Sequence, residues 1–299
     1  MRAIAAAILA AIVLSMPLSL GAWGMDIHRR ITKRAIEHLP ADILPFYRER
    51  LEFIAEHSVD PDLWRIVGLK GDRGDEDPNH FLDMDAIDPR PPFKNIPRDY
   101  QAYVSQVGAG NAAKWGRLPW RMEEIYNKLV DEFKKISGAQ AYAGDNVRYL
   151  SAVLAHYVED AHQPFHAVVN YDGQATNQRG IHSRFETALP LRNWSAIAWR
   201  PVVVTPIADI KTFAFDTLIK SASLVDGVLA ADRAADAGRQ VYDDAFFAAF
   251  FTTARPVLEQ RLNDSVDGVA SVIVAAWTAA GKPPLGRGAA RTPARIIRR

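Results

Sequence analysis

From Ile27 to Ala280 the apolar residues of this chain recur at helical spacing, and no segment sustains the apolar–polar alternation of a half-buried strand. Ile27, Ile31, Ala35 and Leu39 would line one face of a helix that Pro40 stops. Further helices are predicted over about Ala41 to Ala55, Pro119 to Ile136 and Asp145 to His162. After Pro206, two long amphipathic segments follow: Ile207 to Ala230, and Val241 to Ala280 with a break near Pro256. The only strand pairing expected is a short hairpin near Val202–Val204. Two stretches, His57 to Pro97 and Pro164 to Arg184, read as long irregular segments; loops of that length in a compact domain are usually functional. The pattern implies one all-α domain.

The sequence has 299 residues, enough for one large domain, and an ordinary share of apolar residues for burying a core. Its net charge is +1, so no global field favours nucleic acid or an anionic membrane. There is no cysteine, which excludes disulfides and thiolate metal sites, so any metal must be held by nitrogen and oxygen.

The first 22 residues stand apart. Arg2 is their only charge, an apolar run from Ala3 to Leu14 follows, and Gly21-Ala22 supplies small residues for cleavage. Ser15, Pro17 and Gly21 interrupt the run before it could form a membrane anchor. Residues 1–22 are therefore expected to be a signal peptide, giving a secreted or periplasmic protein that starts at Trp23. A helical domain would occupy 23–283. The Gly-, Pro- and Arg-rich residues 284–299 would form a disordered basic tail.

The densest chemical signal is His156-Tyr-Val-Glu-Asp160-Ala-His162-Gln-Pro-Phe-His166. His156 and Asp160 are four apart, so a helix places both on one face, where they can reach a single metal ion. Pro164 then turns the chain and presents His166 from another direction. Gly180-Ile-His182-Ser-Arg-Phe-Glu186 repeats the four-residue spacing. His166, His182 and Glu186 together would make a three-ligand zinc site with an open position, as in catalytic rather than structural zinc. The loop adds Asp60-Pro-Asp62-Leu-Trp-Arg65 and Asp77-Pro-Asn-His80. Cleavage before Trp23 would create an α-amino group that could chelate a metal with its own carbonyl, and His28 is close by.

Together these segments resemble the zinc-dependent phospholipase C / P1 nuclease superfamily, in the family's order from Trp23 to Glu186. The resemblance implies an all-helical domain around three zinc ions. It places metal ligands at Trp23, His28, Asp62, His80, His156, Asp160, His166, His182 and Glu186, with Asp60 as the alternative to Asp62. His80, His156, Asp62 and Asp160 would hold one ion. Trp23 and His28 would hold a second, bridged by Asp160, and His166, His182 and Glu186 a third. A zinc-acidified water would attack the phosphorus, Asp62 would orient or deprotonate it, and Arg65 could contact phosphate. His162 falls off the ligand face, so it is expected to support a ligand or lie at the surface rather than bind metal, and His38 and His57 are expected to be solvated.

The superfamily divides between enzymes that cut phospholipid and nucleases that cut single-stranded nucleic acid or nucleotides. Glu186, the short link from His166 to His182 and the string Gly-Ile-His-Ser-Arg-Phe-Glu are similar to the lipase branch. Trp23-Gly with His28 close behind resembles the nucleases. A phospholipase C-like hydrolase is the first expectation and a single-strand nuclease or nucleotidase the second, with a non-catalytic zinc-binding module as a remote third. No stable protein partner is expected.

Overall fold

The computed structural model describes residues 24–286, except 72, 139, 141, 237, 239 and 240. The expected signal peptide, Trp23 and residues 287–299 of the expected tail therefore lie outside the described residues. Six helices of twelve residues or more build the frame: α1 (Met25–Glu37), α2 (Leu118–Ser137), α3 (Ala143–Ala161), α4 (Ile210–Ala222), α5 (Val225–Asp236) and α6 (Asp244–Ala279). They form a single helical domain. The single helix expected over about Ala41 to Ala55 is divided into two short helices, Leu44–Arg48 and Leu51–His57.

The centre is α3, which packs against α1, α2, α4 and α6. Every residue from Ser151 to Ala161 is buried, so this helix has no solvent face. Its apolar residues fix its place in the core, while Ser151, His156, Glu159 and Asp160 must find partners inside it. The short link from Ser137 to Ala143 makes α2 its neighbour.

Two expectations are corrected. Residues 202–204 form no strand; the one two-stranded pairing among the described residues is Lys70–Gly71 with Gly74–Asp75. The chain from 198 to 205 instead runs extended along α6. Its amides at Ala198, Arg200, Val203 and Thr205 donate to Glu259, Asn263, Asp267 and Ser271, one acceptor per helical turn. Those side chains do for this backbone what a partner strand would have done. Pro256 likewise does not break α6, which runs through it. The residue is exposed, as is Thr252 one turn earlier, so water can take the carbonyl that the missing amide leaves.

No described helix is long and apolar enough to cross a membrane.

Candidate metal centre

Five segments converge on Asp160. Helix α3 carries His156 and Asp160 one turn apart, and α1 brings His28 across them, its ring stacked on His156 at 4.2 Å. The short helix Asp60–Ile66 carries Asp62, and the turn after Asp77–Asn79 carries His80. His166 lies in the turn Pro164–Ala167 that follows α3. Asp160 Oδ2 lies 3.0 Å from His80 Nδ1 and 3.2 Å from His156 Nε2, and its Oδ1 faces His28 Nε2 at 3.7 Å. All these side chains are buried.

The two loop acids part company for a geometric reason. Residues two apart on a helix point in different directions, and Asp60 points outward, accepting from His57 and from the Tyr149 hydroxyl. Asp62 points inward, with Oδ1 3.9 Å from His80 Nδ1 and 4.0 Å from His156 Nε2. Neither oxygen of Asp62 accepts a hydrogen bond, although the Arg65 guanidinium stands 3.1 Å from Oδ1. Burial pushes the Asp62 carboxyl up to about 6 against the pull of His156 and Arg65.

The third group is His166, His182 and Glu186. His182 and Glu186 do not lie on one regular α-helix: a single turn at Ile181–Ser183 passes into a π-helical turn at Arg184–Ala188. Their contact survives the wider turn, with His182 Nε2 2.8 Å from Glu186 Oε2. His166 Nδ1 donates to the His80 carbonyl and His182 Nδ1 to the Tyr171 carbonyl. Both Nε2 lone pairs are thereby turned on each other at 3.2 Å. Two lone pairs and a carboxylate converging in a buried space require a proton or a cation between them. Burial works against charge on His182, but Glu186 outweighs it and raises the imidazole's pKa.

The donor atoms fall into three groups, each with its members within 4.8 Å of one another: His28, Asp62 and His156; His80, His156 and Asp160; His166, His182 and Glu186. Eight of the nine expected ligand positions are thus brought together, and the ninth, Trp23, lies outside the described residues. The first grouping pairs His28 with Asp62 rather than with Asp160. We prefer Asp160, because His156 Nε2 already faces His80 and Asp160 Oδ2. The donor set fits zinc: imidazole and carboxylate only, with buried oxygens on Asp62, Asp160 and Glu186 that accept no hydrogen bond. Burial holds His80, His156 and His166 below the usual imidazole range, which keeps them neutral and able to ligate.

Several supporting residues escaped the sequence reading. Glu159, next to Asp160, accepts from His28 and Thr32; an acid pair inside an otherwise apolar helix was the available signal. Gln163 receives the amide of Phe165, shaping the His166 turn, and donates to Glu186. The Ser58 carbonyl orients His156. Gly116 lies so close to the Phe81 carbonyl that a Cβ would stand 2.1 Å from it, which fixes the loop carrying His80. His162 is neither a ligand nor at the surface. It is buried near α6, where a Cβ on Gly268 would stand 2.7 Å from its Cε1. His38 is exposed as expected, while His57 is half-buried and tied to Asp60.

A cleft of about 630 Å³ is lined by Arg65, Phe81, Phe165 and Tyr171 together with His80, His166 and His182 of the centre. A cavity of about 670 Å³ lies elsewhere, against His162, Phe213 and Asp264, and none of the expected ligands lines it.

A single helical domain carrying buried His/Asp/Glu groups on a cleft is the class these observations define. Among solved structures it is similar to the alpha-toxin of Clostridium perfringens from an avian strain, with a TM-score of 0.52 and 12% identity over 87% of this chain. That likeness concerns the fold, and it spans 64% of the toxin chain. Among curated proteins the chain is 28% identical over 166 residues to a probable serine protease from Bradyrhizobium tropiciagri. The match covers 41% of this chain and only 20% of that protein. Among the described residues no serine hydroxyl is hydrogen-bonded to a histidine ring, the pairing that activates a serine nucleophile. No family model matches the chain.

Proposed function

We propose that this protein is an exported, zinc-dependent phosphodiester hydrolase of the phospholipase C type. Asp160 carries this conclusion. One buried carboxylate presents Oδ2 to His80 and His156 and Oδ1 to His28, the arrangement a carboxylate shared by two cations needs. Asp62, His80, His156 and Asp160 would hold one ion. His28 and the other oxygen of Asp160 would hold a second, with the Trp23 amine freed by export, and His166, His182 and Glu186 a third. Zinc in these places supplies Lewis-acid charge for phosphate oxygens and makes water acidic enough to attack near neutral pH.

The chain's own side chains do the rest. Asp62, whose oxygens accept no hydrogen bond, would orient the attacking water and take its proton. Arg65 holds Asp62 and lines the cleft, where its guanidinium can meet a phosphate oxygen. Phe81 and Phe165 narrow the water-accessible space around the reacting centre. Water adds to phosphorus, the bond to the leaving alkoxide breaks, and that alkoxide departs as an alcohol with a proton.

The test is to incubate the purified protein with phosphatidylcholine in mixed micelles and, separately, with single-stranded DNA, each with and without chelator. Chelator-sensitive release of a phosphomonoester from lipid is expected. Cleavage of DNA alone would replace this reading with the nuclease one. Bound zinc with neither activity would make the protein a zinc-binding module.

A further inference from the structure

The exposed large apolar side chains are not scattered evenly over this protein. Leu63, Ile66, Val67 and Leu69 occupy one short segment, with Val67 75% and Ile66 54% exposed, and Val169 and Tyr171 occupy a second. Ile66, Val169 and Tyr171 line the same cleft, so the two segments form its banks. Single exposed apolar residues need no explanation, but a cluster at the mouth of a site does.

The short helix Asp60–Ile66 shows how the first bank arises. It turns Asp62 inward to the metal centre, while Leu63, Ile66 and Val67, three and four residues apart, form one outward stripe. This is the reverse of a surface helix in water, which faces its apolar side to the core. The chain then continues through exposed Leu69 into the hairpin at 70–75.

Charge decides which occupant suits the rim. Lys70 is paired with Asp75, and Arg65 with Asp62. The bank therefore offers aliphatic surface with its own charges matched, and Lys114, which also lines the cleft, adds a single cation rather than a basic track. A nucleic-acid groove needs a basic track and stacking rings, and an anionic surface would call for unpaired cations. An aliphatic rim around a site for phosphodiesters suits a substrate whose apolar part stays in a lipid phase.

We infer that Leu63, Ile66, Val67 and Leu69, with Val169 and Tyr171 opposite, dock on a lipid surface and open the cleft onto its headgroup layer. The inference rests on the hydrolase reading above for the purpose of docking, but the docking itself is measured without turnover. Insertion here is apolar, so it does not require anionic lipid and persists at high salt.

The experiment sediments the zinc-loaded protein with phosphatidylcholine vesicles, with and without phosphatidylglycerol and across salt concentrations. The comparison variant is V67S/L69S, at two exposed positions that do not line the cleft. Both proteins are also assayed on a water-soluble phosphodiester and on the vesicles. Binding by the native chain is expected at every salt concentration, with a loss of about tenfold or more in the variant, since two aliphatic contacts are removed. The variant should keep its rate on the soluble diester and lose it on vesicles. Equal vesicle binding by both proteins, or binding abolished by salt, would overturn the inference. So would retention on single-stranded DNA in place of vesicles. Vesicle binding without hydrolysis of either diester would instead count against the hydrolase reading and leave the docking surface standing.

Discussion

His28 Nδ1 lies 2.5 Å from Glu159 Oε2, and both side chains are wholly buried. The two are hydrogen-bonded, and the Thr32 hydroxyl donates to the other oxygen of Glu159. Burial pushes the Glu159 carboxyl well above its usual range. A cation at His28 Nε2 would favour the proton on Nδ1, with Glu159 accepting it as a carboxylate. Partners of this kind raise ligand basicity and fix the ring. Glu159→Gln should therefore weaken zinc binding by about 10- to 100-fold, read by competition with a chromophoric chelator. Unchanged affinity would remove Glu159 from the metal centre.

Asp60 and Asp62 give an internal contrast. Asp60→Asn alters a contact with His57 and Tyr149 at the edge of the centre and should leave zinc content and hydrolysis within about twofold, as most changes away from a buried network do. Asp62→Asn should lose bound zinc and at least about 100-fold in rate, the scale of a general base. The reverse pattern would transfer the ligand role to Asp60.

Arg184 sits between His182 and Glu186 in the sequence, and α5 holds it in place. Its Nε donates to Asp232 Oδ1 at 2.9 Å and its terminal nitrogen to Oδ2 at 3.0 Å, in a buried pair. Removing one partner leaves the other charge buried. Asp232→Ala should cost about 3–5 kcal/mol of stability and lower the melting temperature by roughly 10 °C. Calorimetry checks this, and a change within error would show that the pair is solvated. The C-terminal helices thus hold the third donor group in place as well as filling space.

Away from the metal centre, acid should destabilise the protein through His162. Burial, reinforced by Arg261, pushes its pKa down to about 3 from 6.5. Below 6.5 the unfolded chain takes up a proton that the folded chain refuses, so stability falls with pH down to about 3. Asp264 adds to this at lower pH. Burial would raise its pKa, but Lys220 and Arg261 outweigh that and hold it near 2, so its contribution is present above 3.8 and lost as pH falls through about 2. His162→Leu should flatten the dependence of urea-unfolding free energy on pH below 6.5, and an unchanged slope would contradict the assignment.

The frame was legible because burial leaves a periodic trace. The stripe Ile27, Ile31 and Ala35 lies buried on α1, and the His156–Asp160 spacing meets on α3 as expected. What periodicity does not encode is which polar groups meet across the fold. The extended segment from 198 to 205 is held by side chains about sixty residues later, so its valines read as a strand. Glu159 was hidden for the same reason: its partners, His28 and Thr32, lie on another helix. Pro256 misled in a different way, because its effect on a helix depends on whether water can reach the carbonyl one turn back.

The most direct measurement is zinc content and phosphodiester hydrolysis on one preparation, before chelation, after it and after zinc is restored. Three donor groups imply up to three zinc ions per chain, with hydrolysis lost on chelation and recovered with the metal. A chain that retains no zinc, or that hydrolyses phosphodiesters equally well after complete chelation, would contradict the assignment.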